Sequence, residues 1–170
     1  MPEQIHEAPA LRILCAAGED ALRIDYVFRF GRVTRDAAAQ LGLDEHRIIK
    51  TLFFDNGSKG ENLQALLVLM HGDCRVSLRK LEKLAQFPHL QPSTRETAEE
   101  KTGYAPGGIS PFGTKYALPV FIQESLLDLD PLYINAGKRG IIARIHPSAL
   151  RLLNAVYGDM TSPHPQARQL

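Results

Sequence analysis

The stretch Ile48-Ile-Lys-Thr-Leu-Phe-Phe54 constrains the fold more than any other part of this 170-residue chain. It is rich in β-branched and aromatic residues, and placing alternate residues on the same side leaves apolar side chains on both faces. A strand of that kind is covered above and below, so it belongs inside a sheet rather than at its margin. Turn chemistry follows in Asp55-Asn-Gly-Ser, and Gln64 to His71 reads as a second strand. The two predict a hairpin with a long polar loop.

The flanking segments add isolated helices and short strands. Leu11, Ile13, Leu14 and Ala17 recur at helical spacing within residues 8–17, with Gly18 as a stop. Ala21 to Phe30 is rich in β-formers and predicts a strand. Thr34 is the expected cap of a helix from Arg35 to Leu41 that ends near Gly42. Val76 to Phe87 carries Leu78, Leu81 and Leu84 on one helical stripe, and Ser93-Thr-Arg-Glu96 has the form of a capping box opening a helix to about Thr102. Pro119 to Gln123, Leu132 to Asn135 and Gly140 to Ile145 predict strands. His146-Pro-Ser opens a last helix to about Val156, and the tail from Thr161 is expected to be mobile. Strands in adjacent pairs among isolated helices predict an α+β fold, with a mixed, largely antiparallel curved sheet or barrel flanked by helices. At this length, with no linker and no repeat, residues 1–170 make one domain.

Within the apolar strand Lys50 is out of place. Period-two geometry puts it beside Ile48 and Leu52, opposite Ile49, Thr51 and Phe53. An ammonium there reaches water along its stem, pairs with an acid, or faces a ligand cleft. The segment Thr102-Gly-Tyr-Ala-Pro-Gly-Gly-Ile-Ser-Pro-Phe-Gly113 is the other anomaly, with four glycines and two prolines in twelve residues. Such backbone is irregular, and it presents N–H groups with little side-chain bulk to a close-approaching ester carbonyl or phosphate, or else it is a tight structural turn. It is neither a dinucleotide fingerprint nor a Walker loop. Asn135-Ala-Gly-Lys-Arg-Gly140 sets two glycines beside two cations after a strand, and by themselves these residues favour a hairpin turn over a phosphate site.

Composition narrows the classes. The net charge of +1 argues against a protein that coats long duplexes. Charge is uneven, however: Lys138, Arg139, Arg144 and Arg151 fall in a stretch from Pro131 to Gly158 that has no acidic residue. Cys15 and Cys74 form no ligand pattern and read as two small buried apolar residues, and the six histidines show no metal-binding spacing, so no metal is expected. The N-terminal residues lack the features of a signal peptide and no apolar run approaches the ~20 residues of a membrane span, which makes the cytoplasm the expected location. No serine or cysteine nucleophile motif is present, so a catalyst built here works by positioning and by backbone donors.

Taken together, Ile49-Lys-Thr-Leu, then Thr102-Gly-Tyr with Gly107-Gly-Ile-Ser-Pro-Phe-Gly113 and Lys115, then Tyr133-Ile-Asn-Ala-Gly-Lys-Arg-Gly140, resemble the YbaK / prolyl-tRNA editing domain family from about residue 20 to 158. The resemblance implies a trans-editing deacylase that hydrolyses the ester of a mischarged tRNA, of tRNA-Pro type with a small amino acid such as Cys, Ala or Ser. It implies no cofactor and no metal. Its partners would be the acceptor end of aminoacyl-tRNA and a synthetase. By that likeness Lys50 contacts the terminal adenosine or its phosphate, and Gly107, with Gly108, holds the aminoacyl carbonyl or the attacking water. Thr51, Ser110, Pro111, Asn135, Gly137, Lys138 and Arg139 would shape the substrate site. The segment after the first strand is shorter than the family's, so Tyr26 receives no role, and Ile141-Ile142 stand where the cysteine-removing type has an acid. A binding module that keeps the pocket and holds tRNA or a nucleotide without chemistry is the alternative.

Overall fold

The computed structural model describes residues 8–162. In chain order its elements are α1 (Pro9–Ala16), β1 (Leu22–Asp25), α2 (Val33–Leu41), β2 (Ile48–Asp55), β3 (Ala65–His71), α3 (Leu78–Ala85), β4 (Gln91–Pro92), α4 (Arg95–Thr102), β5 (Val120–Gln123), β6 (Leu132–Lys138), β7 (Ile141–Ile145) and β8 (Val156–Gly158), joined by loops and short 3-10 turns. The apolar strand is central. β2 pairs antiparallel with β3 along Ile49 to Asp55, and the sheet runs β1-β7-β6-β2-β3-β5-β8 without closing. It is mixed: β6 lies parallel to β2, β5 to β3 and β8 to β5, whereas β1–β7, β6–β7 and β2–β4 are antiparallel.

The alternation along β2 sorts its side chains as the period requires. Ile49 and Phe53 enter the main core with Leu67, Leu69, Ile122, Ile134 and α1's Leu11 and Leu14. On the opposite face Ile48 joins a small cluster with Ala37, Tyr133 and Ile142, while Leu52 and Phe54 pack in another with Leu66, Val68 and Leu81. Lys50 stands between these two lesser clusters. The far edge of β2 is divided as well. β6 pairs only with Ile48 and Ile49, and β4 only with Phe54 and Asp55, so the stretch between is flanked by neither strand.

Several local expectations need correction. The first strand stops at Asp25 instead of Phe30, because both backbone groups of Val27 are taken by the Gln40 side-chain amide at 2.9 Å each. Thr34 does not cap α2, which starts at Val33. Its hydroxyl donates to Glu45 Oε1 at 2.8 Å. The cap of α4 is Thr94, whose Oγ1 accepts from the Thr97 N–H, not Ser93, whose hydroxyl donates to Asp55. His146 caps a 3-10 helix from Pro147 to Leu153 that ends on left-handed Asn154, and Val156 begins a strand beside β5. Cys15 is exposed and Cys74 half-buried, so neither is a core residue. At the tail, Thr161 bridges to Val76 and the Ser162 N–H donates to the Arg75 carbonyl at 2.8 Å; the rest of the expected mobile tail lies outside the described residues. Among the described residues no helix is long and apolar enough to cross a membrane.

Candidate active site

The interval of β2 between its two partial neighbours opens onto a cleft of about 780 Å³. Lys50, Thr51, Gly107, Ile109 and Asn135 all line it, so the apolar strand, the glycine-proline loop and the start of the β6–β7 hairpin meet there. An apolar lobe of about 490 Å³ adjoins it and shares Lys50, Thr51, Leu52, Arg75, Gly107 and Ile109 with the cleft.

Lys50 is half-buried and its Nζ donates to the Gly72 carbonyl at 3.1 Å. Burial pushes its pKa below the ordinary lysine value, and the neighbouring Cys74, Glu45 and Asp73 partly offset this. Gly72 is itself fixed, since a Cβ there would stand 2.7 Å from the Glu45 carbonyl oxygen. Thr51 is 8% exposed, and its hydroxyl has no hydrogen-bond partner among the described residues. A buried hydroxyl without a partner costs about 1–3 kcal/mol, which a ligand at this position would relieve.

The loop needs its glycines for two different reasons. Gly107 has φ +90°, and a Cβ on it would lie 2.5 Å from the Phe28 ring, so the aromatic residue packs directly on its α-carbon. Gly108 is buried against the β6–β7 hairpin, where a Cβ would stand 2.9 Å from the Arg139 nitrogen. Its N–H donates to the Ala105 carbonyl at 2.9 Å. Neither the Gly107 nor the Ile109 N–H is hydrogen-bonded to another described residue, and both residues line the cleft. Among the described residues, Gly107 and Ile109 are the loop residues that line the cleft, and each carries an amide with no acceptor in the protein.

The remaining expected site residues divide. Asn135 reaches the cleft. Ser110 and Pro111 are buried inside the loop, and Ser110 Oγ accepts from the Phe112 N–H at 3.4 Å, so neither lines the site. The hairpin turn that the residues by themselves favour falls on Arg139-Gly140, while Gly137 lies inside β6 at a register shift between Asn135 and Lys138; it has φ +93° and a Cβ there would meet the Tyr104 ring at 2.7 Å. Lys138 and Arg139 are exposed and do not line the cleft. Arg139 instead ties hairpin to loop, its Nε donating to the Pro106 carbonyl at 2.7 Å and its guanidinium lying 4.8 Å from the Phe30 ring centre.

Other residues of the site come from segments with no recognisable motif. Tyr26 does line the cleft; its hydroxyl has no hydrogen-bond partner among the described residues, and burial raises its pKa. Arg32, Arg35 and Arg75 bring three guanidinium groups to the walls. No motif in the sequence marks them: Arg32 and Arg35 sit at the start of α2, and Arg75 follows Cys74 in the loop after β3. Cys74 also lines the cleft. Burial, followed by the Asp73 carboxylate, pushes its thiol up to about 11, so it is neutral near pH 7 and no ready nucleophile. His46, Asp73 and Cys74 place ligand-type atoms within 4.8 Å of one another, which makes them the cluster best able to hold a cation among the described residues. His46 Nδ1 is already hydrogen-bonded to Asp73 at 2.8 Å, and its ring stacks on His71 at 3.7 Å.

The class this defines is a small mixed-sheet domain whose cleft combines a strand-borne lysine, unbonded backbone amides and arginine walls. Residues 32–153 match the model of the aminoacyl-tRNA editing domain, and the chain belongs to that family. It is 29% identical over 163 residues to a protein of Enterococcus faecalis (strain ATCC 700802 / V583) named as a candidate Cys-tRNA(Pro)/Cys-tRNA(Cys) deacylase, EbsC, covering 95% of this chain and 90% of that one. It is 28% identical over 105 residues to the proline–tRNA ligase of Limosilactobacillus fermentum (strain NBRC 3956 / LMG 18251), covering 62% of this chain but only 18% of the ligase. A crystal structure described as a candidate trans-editing enzyme for prolyl-tRNA synthetase superposes with a TM-score of 0.74 at 27% identity, covering 91% of this chain and 93% of that one.

Proposed function

We propose that this chain is a free-standing aminoacyl-tRNA deacylase that hydrolyses the ester of a tRNA-Pro-type substrate mischarged with a small amino acid such as Cys, Ala or Ser. The observation that carries this reading is the convergence of Lys50 with the unbonded Gly107 and Ile109 amides in one cleft. An aminoacyl ester is already activated, so donors aimed at the developing oxyanion are a sufficient device without a protein nucleophile. Water adds to the carbonyl carbon, the bond to the ribose oxygen breaks, and that oxygen leaves as the hydroxyl of the tRNA after taking the proton. A neighbouring ribose hydroxyl or a substrate thiol assists the attack. Lys50 holds the terminal adenosine or its phosphate, Asn135 and Thr51 bound the pocket, and the arginine walls attract the acceptor end. A synthetase that supplies the mischarged tRNA is the expected partner, and the work proceeds without a cofactor.

Ile141-Ile142 stand where the cysteine-removing type has an acid, and Ile142 lines the cleft. This supports a pocket for a compact side chain, where one methylene separates substrates by only ~1–3 kcal/mol. The test is a deacylation screen over Cys-, Ala- and Ser-charged tRNA-Pro and their cognate tRNAs, with Lys50→Ala beside the wild type. Turnover of at least one substrate, lost in Lys50→Ala while circular dichroism stays unchanged, is expected. A wild-type protein inert on the whole panel overturns the proposal.

A further inference from the structure

The open end of the β2–β3 hairpin gathers groups that the hydrolysis proposed above leaves unused. Ile49 pairs with His71, so His46 just before β2 meets Asp73 and Cys74 just after β3, although 27 residues separate the histidine from the aspartate. No local spacing announces such a set. Asp73 Oδ1 is its common point, with His46 Nδ1 at 2.8 Å and Cys74 Sγ at 3.4 Å. All three ligand-type atoms stand within 4.8 Å of one another. Metal bonds of about 2.0–2.3 Å place tetrahedral ligand atoms about 3.3–3.8 Å apart, so shifts of roughly an ångström close this set on an ion. The histidine is held in place for it. Its ring stacks on His71 with 6° between the planes, and its backbone N–H donates to Asp44 Oδ1 at 3.0 Å. His71 is buried, with Nδ1 2.7 Å from the His46 carbonyl oxygen and Nε2 2.7 Å from Ser125 Oγ. Both of its nitrogens are engaged, so it supports the set and is not a ligand. The Cys74 N–H donates to the His71 carbonyl at 3.2 Å, which fixes the turn that carries the thiol. Entry from solvent is open, since the His46 and Asp73 side chains are 39% and 44% exposed.

We propose that His46, Asp73 and Cys74 form a site for one divalent ion of the zinc class, held through imidazole, carboxylate and thiolate. A nitrogen, an oxygen and a sulfur donor together suit Zn²⁺ or Co²⁺, whereas Mg²⁺ and Ca²⁺ favour oxygen alone. Binding releases the thiol proton to solvent. The charge of the ion outweighs burial and the Asp73 carboxylate, which otherwise keep that proton in place. Three protein ligands leave a fourth position, and because Asp73 and Cys74 line the cleft, that position opens toward it. The ion also sets positive charge near Lys50, whose ammonium donates to the carbonyl of Gly72, the residue before Asp73. The site stands apart from the function proposed above, since no step of ester hydrolysis passes through the ion.

The experiment is a titration of the metal-free full chain with Co²⁺, followed by absorption, and then displacement by Zn²⁺. A single equivalent of Co²⁺ is expected to bind, with a thiolate-to-cobalt charge-transfer band and the intense visible bands of tetrahedral cobalt. Zn²⁺ erases both, and excess Mg²⁺ leaves them. Cys74→Ser is expected to lose the thiolate band, and His46→Gln and Asp73→Asn to weaken Co²⁺ by roughly tenfold or more, with circular dichroism unchanged. Cys15→Ser, which removes the other cysteine, keeps the spectrum. A thiolate band that survives Cys74→Ser, or Co²⁺ affinity indifferent to His46→Gln, overturns the proposal. Displacement of Co²⁺ by Mg²⁺ overturns the assignment to the zinc class. If the ligand variants fail to fold, alkylation of Cys74 in the Cys15→Ser protein decides: protection by Zn²⁺ supports the site, and an unchanged alkylation rate overturns it.

Discussion

Replacing Gly107 by alanine tests how the loop is held. The residue has φ +90°, so an L side chain there is strained by about 1–2 kcal/mol, and its Cβ would stand 2.5 Å from two carbons of the Phe28 ring. Overpacking of that kind costs ~1–3 kcal/mol. Together these predict a loss of about 2–5 kcal/mol, or roughly 4–20 °C in Tm for a chain of this size. Relaxation moves the loop away from Phe28 and swings the Gly107 and Ile109 amides, so deacylation is expected to fall by ~10²–10³, the usual consequence of losing an oxyanion donor. Calorimetry and single-turnover deacylation on Gly107→Ala, Phe28→Ala and the double variant separate the two costs. The double variant regains the overpacking share, about 1–3 kcal/mol, and keeps the backbone strain. A Gly107→Ala protein with wild-type Tm and turnover would refute the reasoning, as would a double variant no more stable than the single one.

Lys50→Met is expected to inactivate the protein and yet raise its Tm at pH 7, because a buried ammonium is removed. The lowered folded pKa means the unfolded chain binds more protons between that value and the unfolded one near 10.5, so wild-type stability climbs with pH in this window and the advantage of the variant shrinks there; a Tm series from pH 7 to 11 checks the sign. Thr51→Val removes a buried hydroxyl without a partner and is expected to leave Tm unchanged or raise it by a few degrees, while deacylation falls. A marked drop in Tm would show that the hydroxyl is structural.

The centre of the fold was legible because β2 carries its own specification. Its period places Lys50 apart from Ile49 and Phe53, and the structure packs those two in the main core and leaves Lys50 between two lesser clusters. The irregular loop was legible for the same reason, since few other conformations suit its glycines and prolines. What the sequence hid depends on distant partners. β4 and β8 are two and three residues long and exist only through pairing with β2 and β5. Gln40 ends the first strand from thirteen residues away, which leaves Tyr26 at the cleft instead of in a sheet. Gly108 and Ser110 share the motif of Gly107, but one abuts the hairpin and the other is enclosed in the loop. A motif names a segment; only packing decides which of its members faces the guest.

The divided edge of β2 bears on how such a domain changes its guest. The recess is an aperture in the sheet, bounded at one end by where β6 stops pairing and at the other by where β4 begins. Its width is therefore a matter of strand register. Lengthening either ladder by one pair would narrow the aperture, and shortening it would widen it, with Lys50 and Thr51 left in place on β2.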